Sequence, residues 1–589
     1  MKKSTLPTLI FFAVLVLLGF YLPNRIAEEL GRLQGNILDN LVAVIDGTVP
    51  AILANPLHIG TSTQSLLAGI GGAGLICLVY LYHAASAKKY MHGTEHGSAE
   101  WGKSSDIVPF KDKRFQNNII FTQTEMMTME ERMKQTSTDD YNRNKHVVVI
   151  GGSGASKTRG FMGPNIMQKH TNYVITDPDG SLLRTYGKML IEDGYEIRVF
   201  DLVNREKSDK YNPFVYMSTE DDVLKLVNNI TSNRSRQKNS SGDPFWKDAE
   251  AMLLQALFCY VLQEIREEDR TINTVVALLS LAEVKEDDED FMSPLDIIFE
   301  ELKAENPDHF AAKQYESYKL AAGKTAKSIL IMAATTLSPF NVGSIANIVS
   351  GDTIALDTLG SSKTALFIVL PEADRTYNFL AGMMYQQMFD VLMYKADHEY
   401  GGRLPFHIRC LMDEFANIGQ IPQLELLMPT IRRRGISLAI VLQNLTQIKS
   451  MYKDTWETII GNCDSLLYLG GMEQSAHEYV SKLCGKTTID HMGISESKGQ
   501  SGSYSIQHQI MGRSLINPDE VARLKGKECI LIIRGCPPFR SKKYNLTKHE
   551  NYKLTGYAAA KNQFSVEQRD NYYDTAFFDN VTKVSTHYS

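Results

Sequence analysis

From residue 147 onward the chain repeats one pattern: a short apolar run, a polar turn, then a stretch of helical period. The apolar runs are Val147 to Ile150, Tyr173 to Thr176, Glu196 to Leu202, Thr364 to Leu370, His407 to Met412, Leu438 to Leu442, Ser465 to Leu469 and Cys529 to Ile533. Near-continuous apolar runs, rather than alternation, are the mark of strands buried on both faces. Their spacing by helical stretches predicts a largely parallel sheet covered on both sides, an α/β architecture. From about 218 to 345 the strand signal disappears. Helical spacing takes over, as in Ala249, Leu253, Ala256, Leu257, Tyr260 and Val261, and an acidic patch runs from Glu286 to Asp290. This predicts an all-α insertion between strands of the sheet. The polar stretch Ser232 to Gly242 predicts a mobile loop at its edge. Beyond about 541 the chain is rich in Tyr and Asn and weakly periodic, which predicts a surface extension or a partly disordered tail.

The N-terminus has a different character. Leu6 to Leu22 is apolar apart from Thr8, and Leu66 to Tyr82 carries no charge but four glycines, Gly69, Gly71, Gly72 and Gly74. Both runs are near the short limit of a membrane span, and membrane helices tolerate glycine. Lys2 and Lys3 precede the first run, and Lys88 and Lys89 follow the second. Between the runs Arg25 and Arg32 stand against Glu28, Glu29, Asp39 and Asp46. The positive-inside rule then predicts a multi-pass cell-membrane protein with both termini cytoplasmic and residues from about 24 to 65 outside. A cleaved signal peptide is the other reading of the first run; the missing small-x-small site after Tyr21 and the second run speak against it.

Composition narrows the class only modestly. The 589 residues exceed one ordinary domain, and a net charge of −6 with 22% charged and 43% hydrophobic residues is globular. Seven cysteines, none in Cys-x-x-Cys spacing, speak against a disulfide framework or zinc site and for a reducing compartment. The acidic balance leaves no global nucleic-acid footprint, so any DNA contact would be local.

The chemistry concentrates in Gly151-Gly152-Ser153-Gly154-Ala155-Ser156-Lys157-Thr158, directly after the first strand and before a helix expected from Arg159. Small residues there let successive backbone N–H groups curl around a phosphate, and a helix N-terminus adds its positive dipole end. Lys157 would reach the β- and γ-phosphates of ATP, and the Thr158 hydroxyl would hold Mg²⁺. Ser156 replaces the usual glycine, and its Cβ is expected to fit in a helical, negative-φ conformation. The strand His407 to Met412 ends in Asp413-Glu414. Asp413 is expected on the metal and Glu414 on the attacking water. The strand ending in Leu442 carries Gln443, a candidate sensor of the γ-phosphate, the lesser alternative being a glutamine that caps a neighbouring helix. Arg432-Arg433-Arg434 precede that strand and suit either a trans-acting arginine or a basic turn facing DNA or solvent. Two further Gly-Lys-Thr triplets, at 323 to 325 and 485 to 487, follow no strand; Gly485 is expected to cap a helix.

Several motifs in one order resemble the type IV coupling proteins, the TraG-like membrane ATPases of conjugation and type IV secretion. They are Gly97-Ser98-Ala99-Glu100-Trp101, the Gly151 to Thr158 loop, Asp177-Pro178-Asp179-Gly180, Tyr211-Asn212-Pro213-Phe214, Phe245-Trp246, Asp413 to Gly419, Pro537-Pro538-Phe539 and Lys543-Tyr544 through His549. The likeness covers about 90 to 555. Asp179 stands where the family has lysine and Ser181 where glutamate is common, while Ser156 is a variant also met in Gram-positive members. The resemblance implies a RecA-like phosphate-loop ATPase with an all-α domain and a two-helix membrane anchor. It also implies a homohexamer that recruits relaxase and other relaxosome proteins with single-stranded DNA, and drives them into type IV secretion channel proteins. On this reading the chain divides into an anchor (1–90), a first nucleotide-binding part (91–217), the all-α domain (218–345), a second nucleotide-binding part (346–540) and a C-terminal extension (541–589).

Rival readings remain. A membrane metalloprotease ATPase needs His-Glu-x-x-His, but His398-Glu399, His477-Glu478 and His549-Glu550 each lack the second histidine. A chromosome-segregation translocase shares the motor core without the other motifs. A nucleotide-gated receptor that docks cargo without pumping it would carry the same loop.

Overall fold

The computed structural model describes residues 5–33, 41–86, 93–130, 143–237, 244–285, 291–320, 323–497, 503–570 and 572–573. The flanking lysines at 2, 3, 88 and 89, the acidic patch and the end of the C-terminal extension lie outside these. The chain divides into two compact units, residues 1–95 and 96–589.

The first unit contains the helices Thr5–Arg32, Leu41–Ala54 and Thr63–Ser86. Two segments, Ile10–Arg32 and Thr63–Tyr82, are long and apolar enough to cross a membrane, each with hydropathy 1.8. Most of their large apolar side chains, such as Phe11, Leu17, Leu67 and Leu78, face outward. The glycines have a packing reason: a Cβ on Gly72 would collide with the Gly19 carbonyl and Pro23, so the two long helices approach closely there. Asn24 exchanges two hydrogen bonds with the Gly60 backbone, at 2.7 and 3.0 Å. The middle helix was not visible in the sequence pattern, where its residues read as a connecting segment.

In the second unit the strands are β1 (Asn118–Ile120), β2 (Met126–Thr128), β3 (Val147–Ile150), β4 (Asn172–Asp177), β5 (Glu196–Asp201), β6 (Thr364–Val369), β7 (Ile408–Met412), β8 (Ile436–Leu442), β9 (Ser465–Tyr468), β10 (Lys486–Ser497), β11 (Ser503–Ser514), β12 (Glu528–Ile533) and β13 (Phe539–Lys542). A nine-stranded sheet runs in the order β13-β12-β9-β3-β8-β7-β4-β6-β5. Only β12 runs against its neighbours, β9 and β13; every other pairing is parallel. Residues along each strand alternate between two cores. Val148, Ile150, Ile440 and Met412 face one; Val147, Val149, Val441 and Leu411 face the other. Both faces are thus buried, which is why these strands read as unbroken apolar runs.

Between β5 and β6 the regular elements among the described residues of 213–348 are all helical, from Pro213–Tyr216 to Gly343–Ile348. Their buried side chains, including Leu226, Leu253, Phe299 and Ile329, share one continuous core with the first sheet face. The helix Glu220–Gln237 runs through the first half of the expected loop. Asn233 is buried there and donates to the Asn229 and Gln420 carbonyls, which ties that turn down. Residues 238–242 of that expected loop lie outside the described residues.

The described residues after 541 strap across the second sheet face. Leu546 and Phe564 are buried in that core. Phe564 sits where a Cβ on Gly187 would otherwise be, 2.6 Å from its ring. Arg569 pairs with Asp209 at 2.7 Å, and the Ile197 amide donates to the Tyr573 hydroxyl at 2.7 Å. Two antiparallel ribbons, β1 with β2 and β10 with β11, complete the strands of the unit.

Candidate nucleotide site

The glycine loop leaves the C-terminal end of β3 at the centre of the sheet, between β8 and β9. Its backbone is seated by both neighbours: the Gly151 amide donates to the Leu442 carbonyl at 3.0 Å, and the Gly152 amide to the Gly470 carbonyl at 2.9 Å. Gly154 has φ +72°, a left-handed conformation suited to glycine. Ser156 has φ +70°, so the expectation of a helical, negative φ is wrong. The loop must turn sharply to present its amides inward before the helix begins, and the turn places that residue in the left-handed region despite its Cβ. A π-helical turn, Thr158–Met162, and the helix Gly163–Ile166 follow where a plain helix was expected. The two further Gly-Lys-Thr triplets stand at helix ends: Gly323 opens the helix Gly323–Leu337, and Gly485 ends Gln474–Cys484 with φ +82°.

Lys157 is buried and donates to the Gly151 and Gly152 carbonyls at 2.9 and 3.2 Å. Burial lowers its pKa, while the Asp413 and Glu414 charges oppose that shift. The Thr158 hydroxyl donates to Asp413 Oδ2 at 3.3 Å, joining residues 255 apart in sequence. Asp413 is 3% exposed, and burial pushes its carboxyl up to about 6 against the pull of Lys157. A hydroxyl and a carboxylate facing each other beside a phosphate loop form the hard-oxygen donor pair that Mg²⁺ takes together with phosphate oxygens. The residues present therefore fit that ion.

Glu414 has φ +47°, in the left-handed region. Asn417 Nδ2 donates to its Oε2 at 2.8 Å, and Gln443 Nε2 to its Oε1 at 2.5 Å. Lys157, Thr158, Asp413, Glu414 and Gln443 thus converge at the tips of β3, β7 and β8. The three arginines do not join them. They end the helix Leu424–Arg433 at the opposite end of β8, a strand of seven residues, or roughly 20 Å, from Gln443. Arg434 is engaged by Asp397, with Nε to Oδ1 at 2.9 Å, while Arg432 and Arg433 are exposed.

Three residues at the site escaped the sequence reading as site candidates. Asn417 lies three residues after Glu414, on the single turn Phe415–Asn417. Asp177, at the tip of β4 beside β7, accepts the Leu183 amide at 2.8 Å through Oδ2, while its Oδ1 is buried without a partner. Burial pushes its carboxyl up to about 7, and the Asp179 and Asp413 charges add to that. Lys543 reaches from just beyond β13 to donate to the Ala155 carbonyl at 2.9 Å. All three fall within motifs quoted above, so a signal existed, but not for their roles.

The sequence profile of the family described as Type IV secretory system Conjugative DNA transfer matches residues 109–568. Conjugal transfer protein TraG of Rhizobium radiobacter is 25% identical over 415 residues, covering 67% of this chain and 61% of TraG. The type IV secretion system-coupling protein VirD4 of Bartonella henselae is 24% identical over 409 residues, covering 67% of this chain and 62% of VirD4. The chain thus spans less than two thirds of these relatives. Among solved structures, the bacterial conjugative coupling protein TrwB in its unbound form superposes with a TM-score of 0.52 at 15% identity, covering 78% of this chain and 93% of TrwB. TrwB in complex with ADP and Mg²⁺ gives 0.53 at 15% identity, covering 78% and 94%. The likeness to TrwB shows the RecA-like α/β fold.

Proposed function

Because the chain belongs to the type IV secretory system conjugative DNA transfer family, we propose that it is a membrane-anchored coupling ATPase that recruits relaxase-bound DNA and drives it toward a secretion channel. The observation that carries this reading is the convergence of Lys157, Thr158, Asp413, Glu414 and Gln443 on one phosphate loop. TrwB complexes with ADP and Mg²⁺ and with an ATP analogue support nucleotide as the ligand.

In this proposal the loop amides from Gly151 to Thr158 and the Lys157 ammonium hold the phosphate chain of ATP. Thr158 and Asp413 would hold Mg²⁺, which would supply charge neutralisation to the phosphates. Glu414 accepts a proton from a water as the water oxygen attacks the γ-phosphorus and the bond to the β-γ bridging oxygen breaks. Asn417 and Gln443 aim the carboxylate for that transfer. Gln443, tied to Glu414 at the head of β8, couples loss of phosphate to movement of the strand. Arg432 or Arg433 of a neighbouring subunit is the free candidate for a trans-acting arginine in a homohexamer; Arg434 is committed to Asp397.

The rest of the proposal is architectural. Residues 1–90 anchor the protein through two spans with both termini cytoplasmic. Residues 218–345 form an all-α substrate-recruiting domain between the nucleotide-binding parts 91–217 and 346–540, and 541–589 is a C-terminal extension. Single-stranded DNA, relaxosome proteins and channel proteins are the partners. The test is conjugal transfer by cells in which Lys157→Ala replaces the natural chain. Loss of transfer with relaxosome docking retained supports a motor. Undiminished transfer leaves only the docking receptor.

A further inference from the structure

Ser156 gives the phosphate loop a problem that a glycine would not have. Its φ of +70° is one that residues with a Cβ rarely adopt. The peptide joining Ala155 to Ser156 is therefore the place where the loop would relax, by rotation about the Ser156 φ and the Ala155 ψ. That rotation would swing the Ala155 carbonyl, and this carbonyl is the acceptor of Lys543 Nζ at 2.9 Å.

Lys543 is well placed to resist the swing. Its backbone amide donates to the Lys527 carbonyl at 2.8 Å, just after β13 pairs with β12. The side chain is half-buried, and among the described residues no carboxylate pairs with its ammonium. A cation whose charge is spent on one main-chain carbonyl makes a stronger hydrogen bond than a neutral donor. On the other side of the peptide, the Ala155 amide donates to the Gly152 carbonyl at 3.1 Å, and the Ser156 carbonyl accepts the Gly160 amide at 2.7 Å. The strained turn is thus held at both ends by its own chain, and in the middle by a residue 388 positions away.

We propose that Lys543 is a positioning residue that clamps the Ala155–Ser156 peptide and so keeps the phosphate loop in its anion-binding shape despite Ser156. The inference rests on the nucleotide reading of the loop given above. Lys543 acts on the loop backbone; it touches no phosphate.

The proposal separates from direct phosphate binding by a double-mutant cycle on the full chain in detergent, with MgADP affinity as the readout. Lys543→Met should weaken MgADP by about tenfold or more, the size of a lost charge-assisted hydrogen bond. The Ser156→Gly single variant supplies the fourth affinity of the cycle. In the Lys543→Met background, Ser156→Gly should recover affinity to within about threefold of the natural chain, because a glycine needs no clamp. Lys543→Arg should retain binding. General damage to the fold by Lys543→Met would not be repaired by a change at Ser156, so rescue is itself the control. No rescue in the double variant overturns the clamp, as does normal affinity in Lys543→Met. Failure of the nucleotide reading itself looks different, since Lys157→Ala in the otherwise natural chain would then leave MgADP binding unchanged.

Discussion

Gln443 Nε2 donates to Glu414 Oε1 at 2.5 Å, joining the tips of the adjacent parallel strands β8 and β7. With Asn417 on the other oxygen at 2.8 Å, the Glu414 carboxylate is aimed by two neutral amides. Neutral donors fix its orientation without cancelling its charge, so it keeps the capacity to accept a proton.

Glu414→Gln should therefore bind MgATP with near-normal affinity but turn it over at least about a hundredfold more slowly. Gln443→Ala should cost about tenfold in turnover, and the double variant should be no worse than Glu414→Gln alone. Single-turnover and equilibrium-binding measurements separate these effects. Equal losses in binding and turnover would place Glu414 in phosphate binding instead.

The Thr158 hydroxyl and Asp413 Oδ2, 3.3 Å apart, form the metal's donor pair in this account. Thr158→Ala should raise the Mg²⁺ concentration for half-maximal hydrolysis by about tenfold or more, while Thr158→Ser should stay close to the natural chain. A Mg²⁺ titration at saturating ATP checks both.

Much of this site is legible in the sequence, and the reason is geometric. Parallel strands buried on both faces appear as apolar runs, and a motif at the tip of such a strand has its position fixed by that run. Val147 to Ile150 is found as predicted, and Gly151 to Thr158 and Asp413-Glu414 stand at the tips of β3 and β7. What is missed depends on partners distant in sequence. The ribbon of β10 and β11 is rich in Ser, Thr, Gly, His and Gln, with no sustained apolar pattern to announce it. In β13 only Phe539 is buried. Lys543 and Phe564 look like residues of a loose tail until the face they cover is known. The φ of Ser156 follows from the path of the loop between β8 and β9, which local sequence does not encode.

Asp177 makes stability depend on pH. Its folded pKa, about 7, lies above the ordinary 3.8 because the charged form is buried. The folded protein then binds the proton more tightly than the unfolded chain does. Stability contributed by the protonated form is full below about pH 4 and is lost as pH rises toward 7. The slope from this group is up to ~1.4 kcal/mol per pH unit, and Asp413, pushed up to about 6, adds in the same direction below its own pKa. Asp177→Asn, which can still accept the Leu183 amide, should flatten the profile between pH 4 and 7 in urea unfolding without Mg²⁺. An unchanged profile would mean that Asp177 is ionised in the folded protein.

Phe564 is the anchor of the strap across the second core. Phe564→Ala should cost about 3 kcal/mol, at the lower end for a buried aromatic because the segment lies at the surface. The loss should appear as faster tryptic cleavage between Lys543 and Lys561, with cleavage elsewhere in the unit unchanged. Uniformly faster cleavage would show that the strap and sheet unfold together.

In the proposed function, the site formed by Lys157, Thr158, Asp413, Glu414 and Gln443 burns ATP to move DNA. Its most direct test is ATP hydrolysis by the purified full chain with and without single-stranded DNA, alongside Lys157→Ala and Glu414→Gln. Turnover that single-stranded DNA stimulates and that either substitution abolishes is the expected result. Tight ATP binding with no turnover, even with DNA present, would contradict it.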